Sequence, residues 1–202
     1  MTLATRIEIT LPDWVLDEVD GAPLGTDEER IALTNRLARR NFLEGTGGPF
    51  AAIVVDASTG ALVSVGVNLV LGSGLSVTHA EVVALSLAQV GTGDWDLGAA
   101  GARRELYVNG QPCVQCYGAT MWSGVTRVVM GADGAEIERL TKFDEGPLPH
   151  DWVEQFEQRG IEVVRDVLRE EALDVHREYG ALVASGGVTV YNARGAGAIE
   201  KE

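Results

Sequence analysis

THAEVVALSLAQV, Thr78–Val90, is the stretch on which the reading of the whole chain turns. Val82, Val83, Leu85 and Leu87 cover more than one face of a helix, and no charge follows Glu81 within it. A helix that is apolar nearly all round is one packed inside a domain. Its mouth nevertheless carries His79 and Glu81, two residues apart. Ionisable groups are rarely buried unless a partner compensates them. A second stretch, QPCVQCYGATMW at Gln111–Trp122, offers such partners. There Cys113 and Cys116 lie one turn apart, just after Pro112, at the start of another apolar helix.

Outward from these two helices, the chain alternates between strands and helices. TDEE at Thr26–Glu29 is a capping box that opens a helix running to about Asn41. Phe50–Asp56 and Ala61–Val70 read as strands, with ASTG between them as a hairpin turn. Further strands are expected at Glu105–Asn109, Thr126–Gly131 and Ile161–Arg165, and further helices at Ala135–Thr141 and Glu170–Gly180. Trp122 is expected in the core, behind the thiol-bearing helix. His150 and His176 are expected as surface or hydrogen-bonded residues, not as ligands. This alternation implies a layered α/β domain. It divides into an N-terminal extension at 1–25, a domain at 26–187 and a tail at 188–202 that would serve as a lid.

Composition narrows the function. The chain has 202 residues, 46% of them hydrophobic, enough for a substantial core. Thirty acidic side chains against sixteen basic ones give a net charge of −14. A protein that grips a phosphate backbone usually presents a basic face, so a nucleic-acid partner is not expected. Two cysteines cannot form a disulfide scaffold. The start, MTLATRIEITLPDW, lacks the apolar run of a signal peptide, and the charge-free stretch 60–78 is broken by glycines, Asn68 and serines. A cytoplasmic protein without a membrane span is the expectation. GSGLSV lacks the third glycine of a dinucleotide fingerprint, and no phosphate-loop lysine or G-x-S-x-G elbow occurs.

The chemistry lies in the two helix starts. Thiols at i and i+3 can face one metal ion, although a redox pair has the same spacing. A helix N-terminus also favours thiolate over thiol. His79 decides between the two readings. With Cys113 and Cys116 it gives three protein ligands and an open fourth position, the pattern of a catalytic zinc. Zinc lowers the pKa of a bound water from about 15.7 towards about 7. Glu81, beside the metal but not on it, is the group to move protons between water, substrate and leaving group. H-x-E followed by P-C-x-x-C is the signature of the zinc nucleobase deaminases.

With these motifs the chain resembles the cytidine-deaminase superfamily, and within it the bacterial guanine deaminase branch. The resemblance runs from about Thr26 to Arg194. It rests on GGPFAA, GVNLVLG, HAEVVALSLAQ, PCVQCYGA, FDEGPLP, REYGALVASGG and VYNAR. It implies a three-layer α/β/α sandwich around a mixed five-stranded sheet, one Zn2+ per chain and a homodimer. It implies hydrolysis of a small nucleobase or amino-azine, guanine to xanthine and ammonia above all. By position, Asn68 resembles a residue that hydrogen-bonds the base and Phe50 one that packs on its ring. Glu145 resembles a second carboxylate that recognises the ring or relays a proton. Tyr191 and Asn192 lie in a tail that contacts substrate or anchors itself over the site. One departure stands out. The family has Thr or Ser, any residue, then Glu before Pro-Cys, where this chain has Asn109, Gly110 and Gln111. That change bears on which heterocycle is taken. Ammeline, cytosine, guanosine and cytidine are the alternatives within the chemistry. An RNA adenosine deaminase and a non-catalytic zinc protein are the alternatives outside it.

Overall fold

The computed structural model describes residues 3–19 and 24–192. Five strands form one mixed sheet: β1 (Ala51–Asp56), β2 (Leu62–Val67), β3 (Arg104–Gly110), β4 (Arg127–Ala132) and β5 (Glu162–Val164), in the order β2-β1-β3-β4-β5. β1 runs antiparallel to both β2 and β3, whereas β3, β4 and β5 run parallel. The expected hairpin is therefore present. Beyond Asp56 the chain leaves hairpin topology, because parallel neighbours need helical crossovers.

Each strand feeds two cores by its two-residue alternation. Ile53, Val55, Tyr107 and Val129 face one layer, which holds α2 (Asp27–Leu43) and α8 (Arg169–Ala184). Ala52, Val54, Leu106, Val108 and Met130 face the other, with α4 (Ala80–Thr92) and α7 (Trp152–Glu157). α5 (Val114–Trp122) lies beside α4. The result is the expected three-layer sandwich. The capping box also forms: Thr26 Oγ1 accepts from Glu29 N at 3.2 Å, and Glu29 Oε2 accepts from Thr26 N at 3.1 Å.

α4 sits unusually close to β2. A Cβ on Gly66 would stand 2.2 Å from the carbonyl oxygen of Ala80 and 2.4 Å from the nitrogen of Ala84. Only a residue without a side chain lets the first turn of α4 rest on the strand, and that turn carries Glu81. Ser64, two residues earlier, donates to the carbonyl of Ala84 at 2.7 Å.

Several readings change. Trp122 is not in the core: it closes α5 at the surface with 80% of its area exposed. Val90 is also exposed, so α4 is buried along most of its length but not at its end. His150 is exposed as expected. His176 is fully buried on α8, and neither ring nitrogen has a hydrogen-bond partner. Three short helices were not anticipated: α1 (Asp13–Glu18), α3 (Val70–Ser73) and α7, while α6 (Gly134–Thr141) falls where expected. α1 ties the first residues to the domain. Val15 is fully buried, Glu18 pairs with Arg40 at 2.8 Å, and the Arg40 guanidinium lies 5.1 Å from the ring centre of Trp14. Of the tail, residues 193–202 lie outside the described residues.

Candidate metal centre and substrate pocket

His79 and Cys113 occupy equivalent places. Each is the N-cap of its helix, with extended backbone, and neither uses its side chain to cap that helix. The side chains are thereby free to turn towards each other. Cys116 follows one turn into α5 and is completely buried. His79 Nδ1 lies 3.4 Å from Cys113 Sγ and 3.6 Å from Cys116 Sγ. The three ligand atoms fall within 4.8 Å of one another. One imidazole and two thiols at such spacing suit a tetrahedral ion that accepts nitrogen and sulfur, which is the zinc preference.

The electrostatics agree. A hydrogen bond from Cys116, helped by His79, pushes the Cys113 thiol down to about 4, so the site holds a ready thiolate. The Cys116 thiol is correspondingly raised, first by its bond to Cys113. Burial would lower the His79 pKa, but Cys113 outweighs it and the net shift is upward. Burial, and then the negative Cys113, raise Glu81 to about 7. Glu145 is also raised well above the ordinary carboxylate range, by burial first and then by Cys113 and Glu81. A cluster this rich in negative charge without a counterion is costly. A divalent cation among the three ligands would relieve that cost.

Eight of the nine residues singled out from the sequence border one cavity of 350 Å³, and the ninth, Cys116, lies buried among the metal ligands. Asn68 comes from the turn after β2. Its Oδ1 accepts from Val70 N at 3.2 Å, and its own N–H donates to the carbonyl of Phe50 at 3.0 Å. Phe50 forms the wall that leads into β1, its ring 5.5 Å from Phe143 and 5.4 Å from His176. A third amide, Asn41 on α2, donates to the carbonyls of both Gly48 and Asn68 at 2.9 Å.

The loop after α6 brings Glu145 to the metal helix. The N–H of Val114, in the first turn of α5, donates to the carbonyl of Glu145 at 3.0 Å, and Glu145 N donates to Glu138 Oε1 at 3.1 Å. Gly146 adopts a positive φ of 72°, and a Cβ there would strike Val114 Cγ1 at 2.5 Å. The pair Glu145-Gly146 is therefore set as a unit against α5.

The tail returns to the pocket of its own chain. Asn192 Oδ1 accepts from Asp144 N at 3.1 Å, and its Nδ2 donates to the carbonyl of Lys142 at 2.9 Å. Both polar atoms of this amide are thus engaged with backbone, which makes Asn192 an anchor. Tyr191 packs on Phe143 with ring centres 4.7 Å apart, and its hydroxyl is pushed well above its usual range by burial. Gln111 lies at the pocket edge and accepts from Gly134 N at 3.4 Å. Phe143 also lines the cavity; its place in FDEGP was the available signal, but the sequence does not show that it links Phe50 to Tyr191.

Known proteins carry the same arrangement. Residues 25–132 match the family described as the cytidine and deoxycytidylate deaminase zinc-binding region. The solved guanine deaminase from Nitrosomonas europaea is 37% identical with a TM-score of 0.83, covering 90% of this chain and 100% of its own. A solved asparagine-to-alanine variant in complex with 8-azaguanine is 38% identical with a TM-score of 0.83, covering 87% of this chain and 98% of that one. The probable cytosine deaminase of Schizosaccharomyces pombe is 28% identical over 136 residues, 65% of this chain and 78% of that protein. The matched region spans the histidine, the glutamate and both thiols, and on that ground the chain belongs to the cytidine and deoxycytidylate deaminase family of zinc-dependent hydrolytic deaminases.

Proposed function

We propose that this protein hydrolyses guanine to xanthine and ammonia, with Glu81 and Glu145 as its proton-transfer groups. The observation that carries the reading is the pairing of two buried carboxylates with the His79–Cys113–Cys116 triad in one cavity of 350 Å³. That volume is near the lower end of ligand pockets, about 300–1,000 Å³, and suits a free base. Similarity to the guanine deaminase from Nitrosomonas europaea over nearly the whole chain supports the same substrate.

His79, Cys113 and Cys116 would hold the zinc, which acts as a Lewis acid and makes water acidic near neutral pH. Glu81 takes a proton from the attacking water and gives it to a ring nitrogen of the base. The water oxygen bonds to the carbon that bears the exocyclic amine. The bond from that carbon to nitrogen then breaks, and Glu145, whose burial favours the protonated form, supplies a proton to the departing ammonia. One water is consumed and no redox partner is needed.

Asn68 orients the base. Its Oδ1 already accepts from Val70, which leaves the Nδ2 donor for an acceptor on the ring edge. Phe50 offers a flat apolar face to the planar heterocycle. Tyr191 closes the far wall, and Asn192 fastens the tail that brings it there. A polynucleotide fits poorly, given a net charge of −14 and a tail that crosses the pocket. No helix among the described residues is long and apolar enough to cross a membrane, in keeping with a cytoplasmic role. Trp95 and Trp122, 77% and 80% exposed beside α4 and α5, are the surface expected to meet a second copy in a homodimer.

The test is ammonia release from zinc-loaded protein given guanine, ammeline, cytosine, guanosine, cytidine and adenine. Guanine is expected to lead the panel. Glu81→Gln is expected to lose about 10²–10⁴-fold in kcat while keeping its zinc. Release from another heterocycle with guanine silent would replace the substrate, and near-normal turnover by the Glu81 variant would overturn the mechanism.

A further inference from the structure

β1 and β3 part company where the site begins. Their antiparallel ladder ends at the pair Ala52 and Val108. β3 continues beside β4, with Gly110 paired to Ala132 and Gln111 N donating to the carbonyl of Ala132 at 2.8 Å. The strand thereby carries Pro112 and Cys113 away from β1 and towards the metal. A gap opens opposite Phe50.

One side chain fills it. Asn109, fully buried, accepts from the N–H of Ala51 at 3.0 Å through Oδ1 and donates to the carbonyl of Pro49 at 2.9 Å through Nδ2. Those are the two peptide groups on either side of Phe50. The amide reproduces with a side chain the donor and acceptor that the departing backbone no longer offers. It adds one rung to the sheet while the main chain goes elsewhere. Both of its bonds are buried, so neither peptide group could turn to water if the amide were lost.

We infer that Asn109 is the positioning residue that aligns the Phe50 wall of the pocket with the Cys113 end of the metal triad. It does not reach substrate; it acts through Phe50. The inference rests on the proposed reading that a planar base packs against Phe50. A heterocycle held between Phe50 and Asn68 must present its amine-bearing carbon to the metal, and small errors of placement are costly in such geometries. Asn109 is four residues from Cys113 and bonded to both neighbours of Phe50, so it sets that offset directly.

Steady-state kinetics on the zinc-loaded full chain test this. Asn109→Asp keeps the acceptor for Ala51 but replaces the donor to Pro49 with a second acceptor. It is expected to raise KM about tenfold, change kcat by less than about threefold and retain the metal. Asn109→Thr, with a hydroxyl able to keep one of the two bonds, should fall between it and the native enzyme. Phe50→Leu should raise KM comparably and add less than about twofold in the Asn109→Asp background, because both act on the same wall.

A purely structural role would instead lower the active fraction, reducing kcat at constant KM. That pattern overturns the inference, as does an unchanged KM or full additivity with Phe50→Leu. If Asn109→Asp yields no folded protein, the Asn109→Thr comparison decides by the same criteria. Should the native enzyme favour another heterocycle, the guanine reading falls, and the KM comparison on that heterocycle still judges Asn109.

Discussion

His176 has no role in the proposed chemistry, and its environment has a measurable consequence. Its imidazole is sealed on α8 against Phe50, and burial alone lowers its pKa from 6.5 to about 3. The native state therefore refuses a proton that the unfolded chain accepts below about 6.5. As pH falls from there towards 3, the unfolded state binds more protons and native stability declines. Urea midpoints of the native protein at pH 7 and pH 5 should differ more than those of His176→Leu, and equal differences would reject this account. At the same scale, the metal ligands and Glu81 were legible because spacing alone fixes them: His79 and Glu81 share a helix start, and Cys113 and Cys116 share a turn. Asn109 was visible only as a departure from a family pattern. Its two partners, Pro49 and Ala51, are about sixty positions away, and no local rule links a strand-end amide to a distant loop.

Among the elements, α4 carries the site, and Gly66 decides whether it can. The approach of β2 to the first turn of α4 leaves no space for a methyl group, and the obstructing atoms are backbone, which cannot rotate aside. Gly66→Ala should destabilise the fold by about 1–3 kcal/mol, as for overpacked cores, and should displace Glu81 with the turn. Chemical denaturation beside kcat for the same variant measures both; full stability with native kcat would show that the helix can retreat at no cost. The long helices were readable from caps and apolar spacing. α1, α3 and α7 were not, because four to six residues complete too little of a helical period to leave a pattern. Trp122 was misread for a related reason. α5 is apolar on every side, but its last turn overhangs the sheet, so the final residue meets solvent.

Across the whole molecule, the alternation of strands and helices sufficed for a layered sandwich, since both strand faces must be covered. The strand order β2-β1-β3-β4-β5 and the switch from antiparallel to parallel depend on pairings between distant segments, which periodicity does not encode. Nor does the sequence tell which chain's pocket the tail covers; Asn192 closes on its own. Metal removal should be felt well beyond the site. Chelation followed by calorimetry is expected to lower Tm, with recovery on adding zinc, because a ligand bound only to the native state stabilises it. A Tm indifferent to chelator would mean that the triad is not loaded. Connectivity adds to this effect. His79 and Cys113 are 34 positions apart, and between them run all of α4, the Trp95 turn and all of β3. An ion shared by these two ends makes a closed ring of the segment. By the polymer estimate used for disulfide loops, such a ring removes about 3–4 kcal/mol of freedom from the disordered chain. A chain that kept its zinc while unfolding would remain a tethered coil, with its two catalytic helices still joined at their N-termini.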